Sequence, residues 1–388
     1  MKFNHKVIVN LTIFDLMAMP FIKPLPVILS FFNVFYFYIF SSVGNVFNVR
    51  AFVLWTLKLL VISSFLINFI IGVISYEKIS VYANFPVLII IFFGYYYYFR
   101  ENLNSTLDAC HLLIFYLFFN FIGAIIYLYD YKIYFSIRSF WSFGNNIEVQ
   151  DEFSSLVRFT GILSDPNNAA IIFISVTAFI LWNGGRGVLF NFMLLFVCGF
   201  TVAATMSSSG VISYILLNIF FYGAVFFSEK IKLKRKILLF LILLASGFLS
   251  YLLFSELVKN SNFLEILVDR FLTNDGGGRA QMVRHLFHDE ALFKIIFGGG
   301  GLVEFDGEVI KPHLGPLNLL LSFGFIFCFV FIIYFFGYRF NGNVGGYIPV
   351  FFILLGFLNN TGFIDFRFCL MAALIIASSH KFKIRYKL

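Results

Sequence analysis

Charge is what this chain lacks. Asp, Glu, Lys and Arg together make up 12% of its 388 residues, against an apolar share of 60%, where soluble domains hold roughly 45–50%. So few polar residues exclude an ordinary soluble globule and leave a polytopic membrane protein. Cysteine is scarce as well. Cys110, Cys198, Cys328 and Cys369 all fall within or at the ends of apolar segments, which speaks against a disulfide framework or a zinc site in the polar loops. The first apolar stretch, preceded only by Lys2 and Lys6, lacks a small-residue cleavage pattern and is expected to be retained as a helix. A continuous basic surface is missing too. The net charge of +8 is therefore read as topogenic, with no nucleic-acid partner.

What is present is written for lipid. Phe alone accounts for 59 residues, and apolar runs fall near residues 7–22, 25–41, 52–75, 83–99, 109–129, 168–183, 187–204, 209–228, 237–254, 316–336, 345–358 and 363–379. Segments of this length and composition are membrane-span candidates. The expected fold is an all-α integral membrane protein of about 12 transmembrane helices, a single domain over residues 1–388.

Basic residues set the orientation. With both termini in the cytoplasm, Lys2, Lys6, Arg50, Arg100, Arg186, the Lys230 to Lys236 cluster, Arg339 and the tail from Lys381 to Lys387 share the inner side, while the short outer loops hold only Lys23 and Lys78. This is the positive-inside pattern. It leaves two long segments outside, 130–167 and 255–315, which carry Lys132, Arg138, Arg158, Lys259, Arg270, Arg279, Arg284, Lys294 and Lys311. Arginines on an outer loop suit phosphate or carboxylate, because the guanidinium fork stays charged and engages oxyanions bidentately.

Two stretches of these loops carry candidate chemistry. In Arg158-Phe-Thr-Gly-Ile-Leu-Ser-Asp165-Pro-Asn167-Asn168, Asp165 or Ser164 is placed to cap the following helix, with Pro166 near its first turn. Arg158 has no evident local task at this level, being far from that cap. It is either an oxyanion ligand or an interfacial anchor that snorkels.

The second stretch opens on Asn274-Asp-Gly-Gly-Gly278, a turn expected to start an amphipathic helix over about 279–294 on the outer membrane surface. Met282, Val283, Leu286, Phe287 and Phe293 share its apolar face, and Gln281, Arg284, His285, His288 and Asp289 its polar one. Arg279 falls on the apolar side at the helix start, a costly place for an unpaired charge and a favourable one for an anion. Arg284 lies about 140° round the helix from it, at ~100° per residue, so the two cannot easily meet one phosphate. His285 and His288 are spaced like a metal pair but lack a third strong ligand, so no metal is expected. The glycines 298–301 read as a hinge or an anion nest. Glu304, Asp306 and Glu308 are second-rank candidates beside their reading as solvated acids. His313, just before the next apolar run, is either an interfacial helix cap or a general base. Asp365 and Arg367 within the last apolar run each call for a partner or a polar cavity.

Taken in order, these stretches resemble the Wzy-type O-antigen polymerases and the related O-antigen ligases, membrane glycosyltransferases of the GT-C-like kind. Arg158-x-x-Gly161 followed by Pro166-Asn167 looks like the family's motif before a span. Gly278-Arg279 with its amphipathic helix looks like the major outer loop. His313, Leu317 and Gly324 match the spacing of a loop-end His leading into the next helix. Two departures stand out: Leu314 follows the His where the family often has Asn, and the Ser-rich turn Ser207-Ser-Ser-Gly210 lacks the family's frequent Arg.

The resemblance implies polymerisation of undecaprenyl-diphosphate-linked oligosaccharide repeat units on the periplasmic face of a bacterial inner membrane, without a cofactor. His313, Arg279 and Arg158 would be catalytic, and Arg284, Arg270, Asp165, Asn167 and His288 would contact substrate. A chain-length regulator and a flippase are the expected protein partners. The ligase that moves finished polysaccharide onto lipid A core shares this pattern. A lipid-linked oligosaccharide flippase is a third reading, disfavoured because no internal repeat is evident and both long polar segments lie outside.

Overall fold

The computed structural model describes residues 106–141, 150–151, 154–163, 165–183, 187–227, 303–305, 308–310, 344–359 and 366–381, with single positions between 92 and 99 and between 237 and 329. Helices dominate among the described residues: α1 Thr106–Tyr129, α2 Tyr131–Trp141, α3 Pro166–Asn183, α4 Val188–Ala204, α5 Ser208–Phe227, α6 Val344–Asn359 and α7 Phe366–Lys381. Two short antiparallel hairpins accompany them, β1 Gln150–Asp151 with β2 Ser154–Val157, and β3 Val303–Phe305 with β4 Glu308–Ile310. Apart from these two short hairpins the regular structure of the described residues is helical, in keeping with the all-α expectation. The second pairs Glu304 with Val309 and Phe305 with Glu308, so two of the three loop acids sit on strands.

Burial follows composition. Every described side chain of α3 from Asn168 to Trp182 is buried, as expected of a helix that is apolar all round. It is central, packing against α1, α4, α5, α6 and α7. Small residues let neighbours come close: a Cβ on Gly210 of α5 would lie 2.5 Å from Ala170 Cβ, and one on Gly356 of α6 would run into Ile171. Close backbone approach at small residues is how helices associate where no hydrophobic effect drives them together.

The outer helices are inverted relative to a soluble bundle. On α5 Gly210, Ser213, Leu217, Phe221 and Val225 are buried, while Ile212, Ile215, Ile219 and Phe226 form the opposite stripe and stay exposed. On α1 the exposed stripe is Phe115, Ile122, Ile125 and Tyr129. Contiguous apolar surface of this kind marks an interaction with something other than water. Among the described residues two helices, Cys110–Tyr129 and Ser208–Phe227, are long and apolar enough to cross a membrane, and four shorter apolar helices stand beside them.

Candidate functional site at the α4–α5 turn

The site is built where α4 ends. Its last turn tightens, with Thr205 N–H donating to Val202 O at 3.1 Å and Met206 N–H to Ala203 O at 3.0 Å. Met206 then takes φ 52°, the left-handed region where helices commonly stop but where glycine is usual. A buried non-glycine residue there is strained. The Thr205 hydroxyl compensates in part. It donates to Val202 O at 2.7 Å and accepts from Ser207 N–H at 3.3 Å, standing in for the direct bond that a left-handed helix stop normally makes.

Ser207 begins α5. Its Oγ accepts from Gly210 N–H at 3.1 Å, an N-cap on the third residue of the helix. The same hydroxyl donates to Asn167 Oδ1 at 2.8 Å, which ties the turn to the first turn of α3. That turn is capped in its own right: Asp165 accepts from Asn168 N–H at 2.9 Å, with Pro166 at the first helical position. Asp165 and Pro166 thus do what their residue types predict.

Arg158 closes the node. Its Nε donates to Thr205 O at 3.1 Å, and one Nη donates to Met206 O at 3.2 Å and to Asn167 Oδ1 at 3.3 Å. The side chain is only 9% exposed, and the C-terminal end of α4 favours a cation there. This corrects the view that Arg158 has no local task and sits too far from the α3 cap. Its acceptors lie 47 and 48 residues downstream, where no local pattern could show them.

The segment carrying Arg158 is held as firmly. Residues 158–163 lack regular structure yet are buried throughout. Phe159 fills a cage of Tyr127, Tyr134 and Phe173, with ring centroids 5.6, 5.1 and 6.4 Å away. Ile162 N–H donates to Asn120 Oδ1 at 3.2 Å, and the Asn120 amide donates back to Tyr116 O within α1. Tyr134 Oη donates to Gly161 O at 2.9 Å and Arg138 to Leu163 O at 3.0 Å. Burial pushes the Tyr134 phenol up to about 12, so it remains a donor at neutral pH. Buried irregular backbone needs such partners, since burial removes its polar groups from bulk water.

Gly161 explains its place in the Arg-x-x-Gly stretch. Its φ is +58°, and a Cβ would run into Asn120 Oδ1 and lie 3.0 Å from Phe173. The node therefore joins Arg158, Gly161, Asn167 and Ser207 with three residues that sequence reasoning passed over, Asn120, Thr205 and Met206. A lone amide inside the apolar run 109–129 was the available signal for Asn120. Arg270, Arg279, Arg284, His288 and His313 lie outside the described residues, as do the 279–294 helix, Asp365 and the first four spans apart from single positions.

Replacing Arg158 separates two roles. Loss of its charged hydrogen bonds, each worth about 1.5–3 kcal/mol, should lower the thermal midpoint of Arg158→Ala in detergent well below that of the wild type. Arg158→Lys keeps the charge without the fork and should fall between them. Unchanged stability with lost activity would instead put the guanidinium on substrate.

No protein-family model matches this chain, and no curated protein or solved structure matches it significantly.

Proposed function

We propose that this chain is a membrane glycosyltransferase that polymerises lipid-diphosphate-linked oligosaccharide repeat units at the periplasmic face of a bacterial inner membrane. The observation that carries this reading is the joining of Arg158, Asn167 and Ser207 in one hydrogen-bonded node. The stretch from Arg158 to Asn167, through which the sequence resembles the polymerases and ligases, meets there the Ser-rich turn that departs from their pattern, where α3 and α5 begin and α4 ends. Under the positive-inside orientation, with both termini cytoplasmic and about 12 spans, that end of the bundle faces outward.

The reaction needs little beyond placement and charge. A hydroxyl at the non-reducing end of one carrier-linked unit attacks the anomeric carbon of another. Its proton passes to His313 as general base, and the C–O bond to undecaprenyl diphosphate breaks. Arg279 offsets negative charge on the departing diphosphate, with Arg284, Arg270 and His288 along the same loop. Arg158 and Asn167 hold the α4–α5 turn, and Asp165 orders the start of α3. A flippase supplies the donor, and a chain-length regulator is the expected partner in termination.

Deletion of the gene tests the reading. Loss of a polymerase leaves lipid A core bearing one repeat unit, and the ladder returns when the gene is restored. A bare core would identify the related ligase instead, and an unchanged ladder would dismiss both.

A further inference from the structure

We propose that α2 is an interfacial helix whose Ile133 and Ile137 strip rests in the outer lipid surface, so that the bilayer itself helps hold the Arg158 segment. The inference rests on α1 crossing a membrane but not on the polymerase chemistry. At ~100° per residue, α2 divides into three strips. Tyr134 and Phe135 are buried, and Arg138 beside them is tied to Leu163 O. Lys132 and Ser136 form an exposed polar strip. Ile133 and Ile137 form a third, apolar and yet 45% and 38% exposed.

A helix in a solvated loop has no reason to show aliphatic side chains on one outer strip and polar ones on the next. A helix at a membrane surface does, because one strip meets acyl chains and the other meets headgroups and water.

Continuity selects lipid as the occupant. Asp130 breaks the axis between α1 and α2, its carboxylate accepting from Lys132 N–H at 2.8 Å as an N-cap. An unbroken helix would separate residues 123 and 134 by about 16 Å at ~1.5 Å per residue. Instead the Tyr134 ring comes within 3.7 Å of where a Cβ on Gly123 would stand. The helix therefore folds back beside the end of α1, whose exposed stripe of Ile122, Ile125 and Tyr129 is the surface a spanning helix turns to lipid. Lys132 on the adjoining strip suits anionic headgroups.

The consequence reaches the site. Tyr134 and Arg138, on the opposite side of α2, hold the carbonyls of Gly161 and Leu163, so the support of the Arg158 segment passes through α2 to the bilayer.

Spin labels can test this on the full chain in vesicles of phosphatidylethanolamine and phosphatidylglycerol, with Cys328→Ser to remove the half-buried natural thiol. Single variants Ile133→Cys and Ile137→Cys, each judged alone so that one failing to fold leaves the other, should be relaxed more by oxygen than by a water-soluble nickel chelate. Lys132→Cys and Ser136→Cys should show the reverse preference. Ile122→Cys and Ile125→Cys report α1. If these two are in lipid while 133 and 137 are reached by nickel, or are shielded from both reagents by a partner protein or a second copy, the proposal is overturned. If 122 and 125 themselves are reached by nickel, the membrane reading fails and takes the proposal with it.

Discussion

Cells carrying Gly161→Val as their only copy should contain almost none of this protein in the membrane. The residue sits at φ +58°, where an L side chain costs about 1–2 kcal/mol and a β-branched one more. Its new Cβ would collide with Asn120 Oδ1, the acceptor for Ile162 N–H. If the amide yields, a buried N–H loses its partner at a cost of about 1–3 kcal/mol. If the segment yields, Phe159 leaves its cage, and loss of a buried Phe costs about 3–5 kcal/mol. Either route consumes much of a typical total stability of about 5–15 kcal/mol. Immunoblots of membranes and thermal melts in detergent measure it. Gly161→Ala should be milder, and Asn120→Ala beside it should relieve the collision but not the backbone strain. Wild-type abundance and melting of Gly161→Val would mean that the segment is not held as described.

The second large effect is expected without loss of protein. Arg279→Ala should cut polymer formation by about 10²–10³-fold, the usual consequence of removing one group that stabilises a developing oxyanion. His313→Ala should cost about 10²–10⁴-fold, the range for general base catalysis. Both side chains are proposed to act on substrate and not to hold the buried node, so membrane levels should stay near wild type. Arg284→Ala is the internal control, because its side of the expected helix faces away from Arg279 and only a small loss is anticipated. Full-length polymer from Arg279→Ala and His313→Ala at normal protein levels would remove both from the mechanism.

These two effects differ in how far the sequence anticipates them. Apolar runs at 109–129, 168–183, 187–204 and 209–228 become α1, α3, α4 and α5 with ends shifted by at most three residues. Runs at 345–358 and 363–379 become α6 and α7 with similar agreement. Hydropathy over about 20 residues is a strong signal, because a lipid-exposed segment must satisfy its backbone internally. The Asp165 cap was equally legible, being a contact three residues long.

The burial of 158–163 was not legible. It depends on Asn120, 42 residues before Ile162, on Tyr134, 27 residues before Gly161, and on carbonyls 47 and 48 residues beyond Arg158. Neither periodicity nor composition records partners at such separations. The sequence shows Gly161 only as one position of a resembled motif, whereas its physical reason lies in Asn120 and Phe173 packed around it. Arg158 shifted most. Expected as an oxyanion ligand or an interfacial anchor, it braces a strained helix turn, and the proposed contact with diphosphate rests on Arg279.

Purified protein in liposomes, given a defined lipid-diphosphate-linked repeat unit and no nucleotide sugar, tests the central proposal most directly. Carrier-linked chains of two and more repeats should accumulate with release of free lipid diphosphate, and Arg279→Ala protein should make few or none. Absence of any elongated product from folded wild-type protein, or elongation that requires a nucleotide sugar, would contradict the account.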